Sequence, residues 1–99
     1  MTRPARLSEE EIRDALPNLP GWKIREGKLH REFRFPSFVK AFGFMSSAAL
    51  VAEAKNHHPE WWNIYDRVGV DLTTHDAQGL TSLDLELATE MNELAGDAR

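Results

Sequence analysis

From Trp22 to Phe38 the chain reads WKIREGKLHREFRFPSF, and its periodicity changes once within that stretch. Leu29, Phe33 and Phe35 share one parity, and Glu26-Gly27 supplies a tight turn, so the spacing predicts two strands, Trp22 to Glu26 and Lys28 to Phe35, paired as a hairpin. Pro36 ends the alternation. Ser37 then caps a long helix running to about Asn56.

On that helix Phe38, Ala41, Phe42, Met45, Ala49 and Ala52 recur at helical spacing, and Phe44, Ala48 and Val51 form a second apolar stripe. One stripe is expected to cover the sheet and the other to meet a partner chain, because a domain this small rarely buries a helix all round. Upstream, residues 1–6 read as a loose tail. Ser8 caps a helix with Glu11 closing its capping box, Leu7 can staple to Ile12, and Pro17 stops it near Leu16. Downstream, Val68, Val70 and Leu72 share one strand face, opposite Arg67, Asp71, Thr73 and His75, so His75 is expected to end the strand on its polar side. A short fourth strand is placed around Asn63 to Tyr65. Thr81 caps the final helix, Asp84 sits at its third position, Leu80 and Leu85 can staple it, and Gly96 ends it. The order αββαββα predicts an α+β fold, a four-stranded antiparallel sheet with helices on one face.

The 99 residues make a single domain, with a core small enough that self-association would help bury apolar surface. A net charge of -4 with no basic stripe argues against direct nucleic-acid binding. Without cysteine there is no disulfide or thiolate chemistry. No apolar run reaches signal-peptide or membrane-span length, so a cytoplasmic protein without membrane contact is expected.

The chemistry-bearing residues fall in one third of the chain: Glu53, His57-His58-Pro59, Tyr65, His75 and Asp84. Histidine titrates near neutral pH, so three converging imidazoles suit proton transfer. Glu53 and His57, four apart, are expected on one helical face, with the carboxylate orienting the ring. Pro59 disfavours helical geometry at His58, so the helix is expected to break there and the adjacent imidazoles to diverge. Asp84 in its capping position stabilises the helix whatever else it does. The bland readings are a surface pair at a helix end for Glu53 and His57, core or rim packing for Trp22, Trp61 and Trp62, and a sheet position for His30. No His-Glu-x-x-His spacing is present and adjacent histidines chelate awkwardly, so no metal is expected.

With the strings Ala41-Phe42-Gly43-Phe44-Met45, His57-His58-Pro59-Glu60-Trp61, Asn63-Ile64-Tyr65, Thr74-His75-Asp76 and the upstream Gly21-Trp22, this constellation resembles the pterin-4a-carbinolamine dehydratase family from about Ser8 to Leu94. The resemblance implies the same α+β fold and a hydro-lyase that removes water from 4a-hydroxytetrahydropterin during tetrahydropterin recycling, without cofactor or metal. It implies catalytic roles for His57, His58, His75 and Asp84, and substrate-binding or orienting roles for Glu53, Trp22, Pro59 and Tyr65. His57 and His75 would be the acid-base pair and His58 a binding residue. The implied partners are a pterin substrate and copies of the chain itself, as dimer or tetramer. Animal members also act as dimerisation cofactors for a homeodomain transcription factor, so the alternative is an oligomerising binding module acting through the long helix.

Overall fold

The computed structural model describes residues 4–99. Helix α1 spans Glu9–Ala15. Its capping box is closed as expected: the Ser8 hydroxyl accepts the Glu11 amide at 3.1 Å, and Glu11 Oε1 accepts the Ser8 amide at 2.9 Å. Pro17 does not simply stop the chain; it sits in a 3-10 turn, Leu16–Asn18, whose early position needs no amide from it. Strands β1 (Lys23–Arg25) and β2 (Lys28–Arg34) form the hairpin. Both turn residues have positive φ, 54° at Glu26 and 79° at Gly27, which matches the strand twist and suits the glycine better than the glutamate. Trp22 falls outside β1, its amide donating to the Leu19 carbonyl.

Helix α2 spans Phe38–Lys55, with Ser37 Oγ accepting the Lys40 amide. Its buried positions are Ala41, Phe44, Ala48 and Ala52, drawn from both expected stripes. Phe44 and Val51 therefore do not mark a partner-facing side, since Phe44 is buried against Phe33 and Phe35 and Val51 packs on the core. The apolar side left open is Phe38, Val39, Phe42 and Leu50, exposed at 48%, 75%, 54% and 75%. The spacing of Ala41, Phe44, Ala48 and Ala52, three or four apart, sets which side meets the sheet, and small alanines let the helix approach closely.

Strand β3 runs Glu60–Ile64, three residues earlier than the expected start at Asn63, and Tyr65 lies in the turn that follows. Strand β4 spans Arg67–Leu72. His75 is not a strand residue: the 3-10 turn His75–Ala77 begins there, after Thr74 pairs with Gly79. Helix α3 spans Ser82–Ala95 with Thr81 and Gly96 as its caps. The sheet order is β1-β2-β4-β3, antiparallel throughout. This is the α+β architecture expected. One sheet face carries Leu29, Phe33, Val68, Val70 and Leu72 into a core completed by Phe44 and Ala48 of α2 and Leu87, Ala88 and Met91 of α3. On the other face Gly69 underlies the Trp62 indole, and a β-carbon there would collide with it.

Phe33 is fully buried, with the rings of Phe44 at 4.8 Å and Trp22 at 5.9 Å and the Arg31 guanidinium 4.1 Å above its face. Phe33→Ala is expected to lower stability by about 3–5 kcal/mol through the cavity it opens. Urea unfolding measures this; a loss below about 1 kcal/mol would mean that the core does not centre on this ring.

Candidate active site

Three chain ends meet beside the sheet: the end of α2, the end of β4 and the start of α3. Helix α2 ends at Asn56, which takes the left-handed conformation at φ 50°, while the His57 amide reaches back to the Ala52 carbonyl at 3.0 Å. This is a Schellman-type end. It falls before His58, so the helix is broken by Asn56 rather than by Pro59. The turn drives His57 inward, to 4% side-chain exposure, and leaves His58 outside at 57%. The adjacent imidazoles diverge as expected, for a different local reason.

His57 Nε2 lies 2.6 Å from Asp84 Oδ1. The second oxygen of Asp84 accepts the Thr74 hydroxyl at 2.8 Å and the Thr81 amide at 2.9 Å. Thr74 and Thr81 are themselves joined, hydroxyl to hydroxyl, at 2.8 Å. Asp84, with no exposed surface, thus serves both the capping box of α3 and the histidine. Burying a carboxylate costs several kcal/mol unless it is fully hydrogen-bonded, and here each oxygen is engaged. Glu53 does not orient His57 as the four-residue spacing suggested; with His57 turned inward past the helix end, Glu53 Oε1 meets His58 Nε2 instead, at 2.8 Å.

His75 is exposed, and its Nε2 lies 3.2 Å from Glu60 Oε2, whose other oxygen is 2.5 Å from Lys28 Nζ. The hydrogen bond from Lys28 holds the Glu60 carboxyl below its ordinary range, with a smaller contribution from His75, and Glu60 in turn raises Lys28. Following the contacts, His57 leads through Asp84 to Thr74, Thr74 to its neighbour His75, His75 to Glu60, and Glu60 back through Pro59 and His58 to His57. The three histidines thus sit on two short segments, 57–60 and 74–75, which are cross-linked through Asp84 and through the Glu60–His75 contact. One imidazole is buried and two are accessible, each with a carboxylate at one ring nitrogen, and residues of this kind are suited to proton transfer.

Other expected members lie elsewhere. Trp22 is buried, its Nε1 donating to Asn92 Oδ1 at 2.7 Å. Asn92 is eight residues beyond Asp84 on α3, about 12 Å along the axis. Tyr65 is 66% exposed at the far end of β3, five residues and about 16 Å of strand from Glu60. Trp61 packs on the core and Trp62 lies on the outer sheet face near Arg67. His30 is a sheet residue, as expected, with Nδ1 2.8 Å from Asp71. Glu60 and Thr74 stand in the family strings without a role, and Lys28 reads only as the start of a strand. Starting β3 at Asn63 left Glu60 in a loop, whereas its true register opposite Asp71 puts it on the face that Lys28 and His75 reach. A groove of about 960 Å³ between the start of α2 and the C-terminal segment contains none of these histidines; Arg34, Lys40, Asp97 and Arg99 supply its charged rim. Among the described residues no cluster of three or more metal-ligating side chains is found.

Residues 5–94 match the family described as pterin 4 alpha carbinolamine dehydratase. The chain belongs to the pterin-4-alpha-carbinolamine dehydratase family. It is 56% identical over 90 residues to a protein of Solibacter usitatus bearing that dehydratase name, covering 91% of this chain and 95% of the relative. A similarly named protein of Sinorhizobium medicae is 48% identical over 95 residues, 94% of this chain and 90% of its own length. Among solved structures, a crystal structure titled transcriptional coactivator/pterin dehydratase from Brucella melitensis superposes with a TM-score of 0.89 at 49% identity, covering 92% of this chain and 99% of that one. The pterin-4-alpha-carbinolamine dehydratase family is thus matched at the level of fold and across nearly the whole chain.

The two carboxylates differ in what their loss does to the fold. Asp84→Ala removes a buried acceptor and strands the donors of His57, Thr74 and Thr81, at an expected cost of about 3 kcal/mol. Glu53→Ala breaks an exposed pair and should leave the urea midpoint unchanged. Equal midpoints for both variants would show that Asp84 does not anchor this junction.

Proposed function

We propose that the chain dehydrates 4a-hydroxytetrahydropterin to quinonoid dihydropterin and water, as part of tetrahydropterin recycling. The observation that carries the proposal is the pair of cross-links, His57 to Thr74 through Asp84 and Glu60 to His75, that ties the two histidine-bearing segments in a chain of this family. The C4a–O bond breaks as an acid protonates the departing oxygen, and the proton on the neighbouring ring nitrogen passes to a base. Hydroxide is a poor leaving group, so protonation is the step that lowers the barrier. Each positioned acid or base is worth on the order of 10²–10⁴ in rate.

In this reading His57 and His75 exchange the protons. Asp84 fixes the His57 ring, in the way a buried carboxylate fixes the histidine of a catalytic triad. His58, accessible after the Asn56 turn and held by Glu53, contacts the substrate, with Pro59 beside it as an orienting residue. Side chains supply the acid and the base, so no metal or cofactor takes part. The buried placement of Trp22 and the remote placement of Tyr65 support structural roles for both.

The reading includes a homo-oligomer, dimer or tetramer, assembled through the open stripe of α2. Phe38, Val39, Phe42 and Leu50 would bury apolar surface that the domain leaves to water. No described helix is long and apolar enough to cross a membrane, so a bilayer-spanning role does not account for that stripe.

His75→Ala is expected to lower the stopped-flow dehydration rate at least tenfold with unchanged circular dichroism, and His57→Ala to lower it as far while also lowering the urea midpoint, because it strands the buried Asp84; wild-type rates in both would end the acid-base assignment. Dialysis against chelator should leave the rate intact, and a loss that zinc restores would overturn the metal-free mechanism. Phe42→Glu should shift the protein towards monomer in sedimentation equilibrium without unfolding it, whereas Phe44→Glu should unfold it. A wild-type chain that sediments as monomer at micromolar concentration would refute the assembly.

A further inference from the structure

We infer that Glu60 is the positioning residue for His75, holding Nε2 of its ring so that proton exchange with the substrate runs through Nδ1. The inference rests on the dehydratase reading above. His75 is an exposed side chain on a short 3-10 turn, and an imidazole there would sample several rotamers if nothing held it. Its backbone is secured from one side. The preceding residue, Thr74, is buried, pairs with Gly79 through its amide at 2.9 Å, and donates its hydroxyl to Asp84. The ring is secured from the other side by Glu60 Oε2 at 3.2 Å.

An exposed carboxylate on an exposed histidine would ordinarily be a loose contact. Glu60 differs because its second oxygen is claimed by Lys28 from β2, reaching across β4. The charged and titratable groups facing Glu60 are Lys28 on β2, Asp71 opposite it on β4, and His75 on the turn. Lys28 lowers the Glu60 carboxyl below its ordinary value, so the carboxylate that holds His75 is lost only as the pH falls through that lowered value. The geometry repeats what Asp84 does for His57, with the difference that Glu60 works at the surface and needs the lysine to stay in place.

The test is a double-mutant cycle in the dehydration assay on the full chain. Glu60→Ala, at a surface position, should keep the wild-type urea midpoint, lower kcat at least fivefold and leave KM within twofold. In a His75→Ala background the same substitution should change kcat by less than twofold, because its effect passes through the imidazole. If His75→Ala slows the reaction but Glu60→Ala does not, the positioning role is wrong while the dehydratase reading stands. If Glu60→Ala is as costly without His75 as with it, Glu60 acts on its own account and the inference falls. If His75→Ala itself retains the wild-type rate, the assignment of His75 falls and this inference with it.

Discussion

The contact on which the rest of the structure depends is the buried bond between Asp84 and His57. A carboxylate with no exposed surface survives only if its lone pairs are used, and Asp84 uses them on an imidazole, a hydroxyl and a backbone amide from three different segments. Those donors come from the end of α2, the end of β4 and the start of α3. Because the residue is also the third position of α3, its side chain is aimed by the helix it caps. A cap that would be worth about 1 kcal/mol on a surface helix becomes here the joint of the tertiary structure. The Thr74–Thr81 hydroxyl bond closes the same network, so no donor in it is left to find its own partner.

That joint explains why adjacent histidines can serve different ends. The left-handed residue at Asn56 reverses the chain within one position, and the helix's last free carbonyls are met by the amides of Asn56 and His57. His57 is thereby committed to the interior, where it finds Asp84, while His58 remains level with Glu53 at the surface. Had α2 run on to His58, the two rings would have stood about 100° apart on one helix and His57 could not have reached α3.

What was legible in the sequence and what was not divides along contact range. The capping boxes at Ser8 and Thr81, the Glu26-Gly27 turn, the Ser37 cap and the Gly96 stop are decided within four residues, and each was readable from residue type and spacing. The α2 stripes were misassigned because a helix with apolar residues on most of its circumference leaves the choice of buried side to the sheet, and only the tertiary packing selects Ala41, Phe44, Ala48 and Ala52. The family resemblance named the histidines and carboxylates together, but it did not give their pairings. Glu53 and His57 satisfied a local rule that holds only while both are helical, and the Asn56 turn cancelled it. The pairs that do form, 57 with 84 and 60 with 75, join distant segments, and the second depends on a strand start that alternation alone placed three residues late.

Pairing with a carboxylate does not by itself mark a working histidine, since all four histidines of the chain are so paired. Nor does exposure separate them, because His30 and His57 are buried to nearly the same degree, at 5% and 4%. Their ring contacts differ. His30 has Asp71 at Nδ1 and the Arg25 guanidinium 3.5 Å from Nε2, so both nitrogens are engaged within a charged sheet face. His57 gives Nε2 to Asp84, whose other oxygen is held by Thr74 and Thr81. An imidazole with one nitrogen fixed has a defined tautomer and a second nitrogen available for exchange, whereas one fixed at both can only hold structure. The same residue type therefore holds the sheet together at position 30 and ties the end of α2 to α3 at position 57.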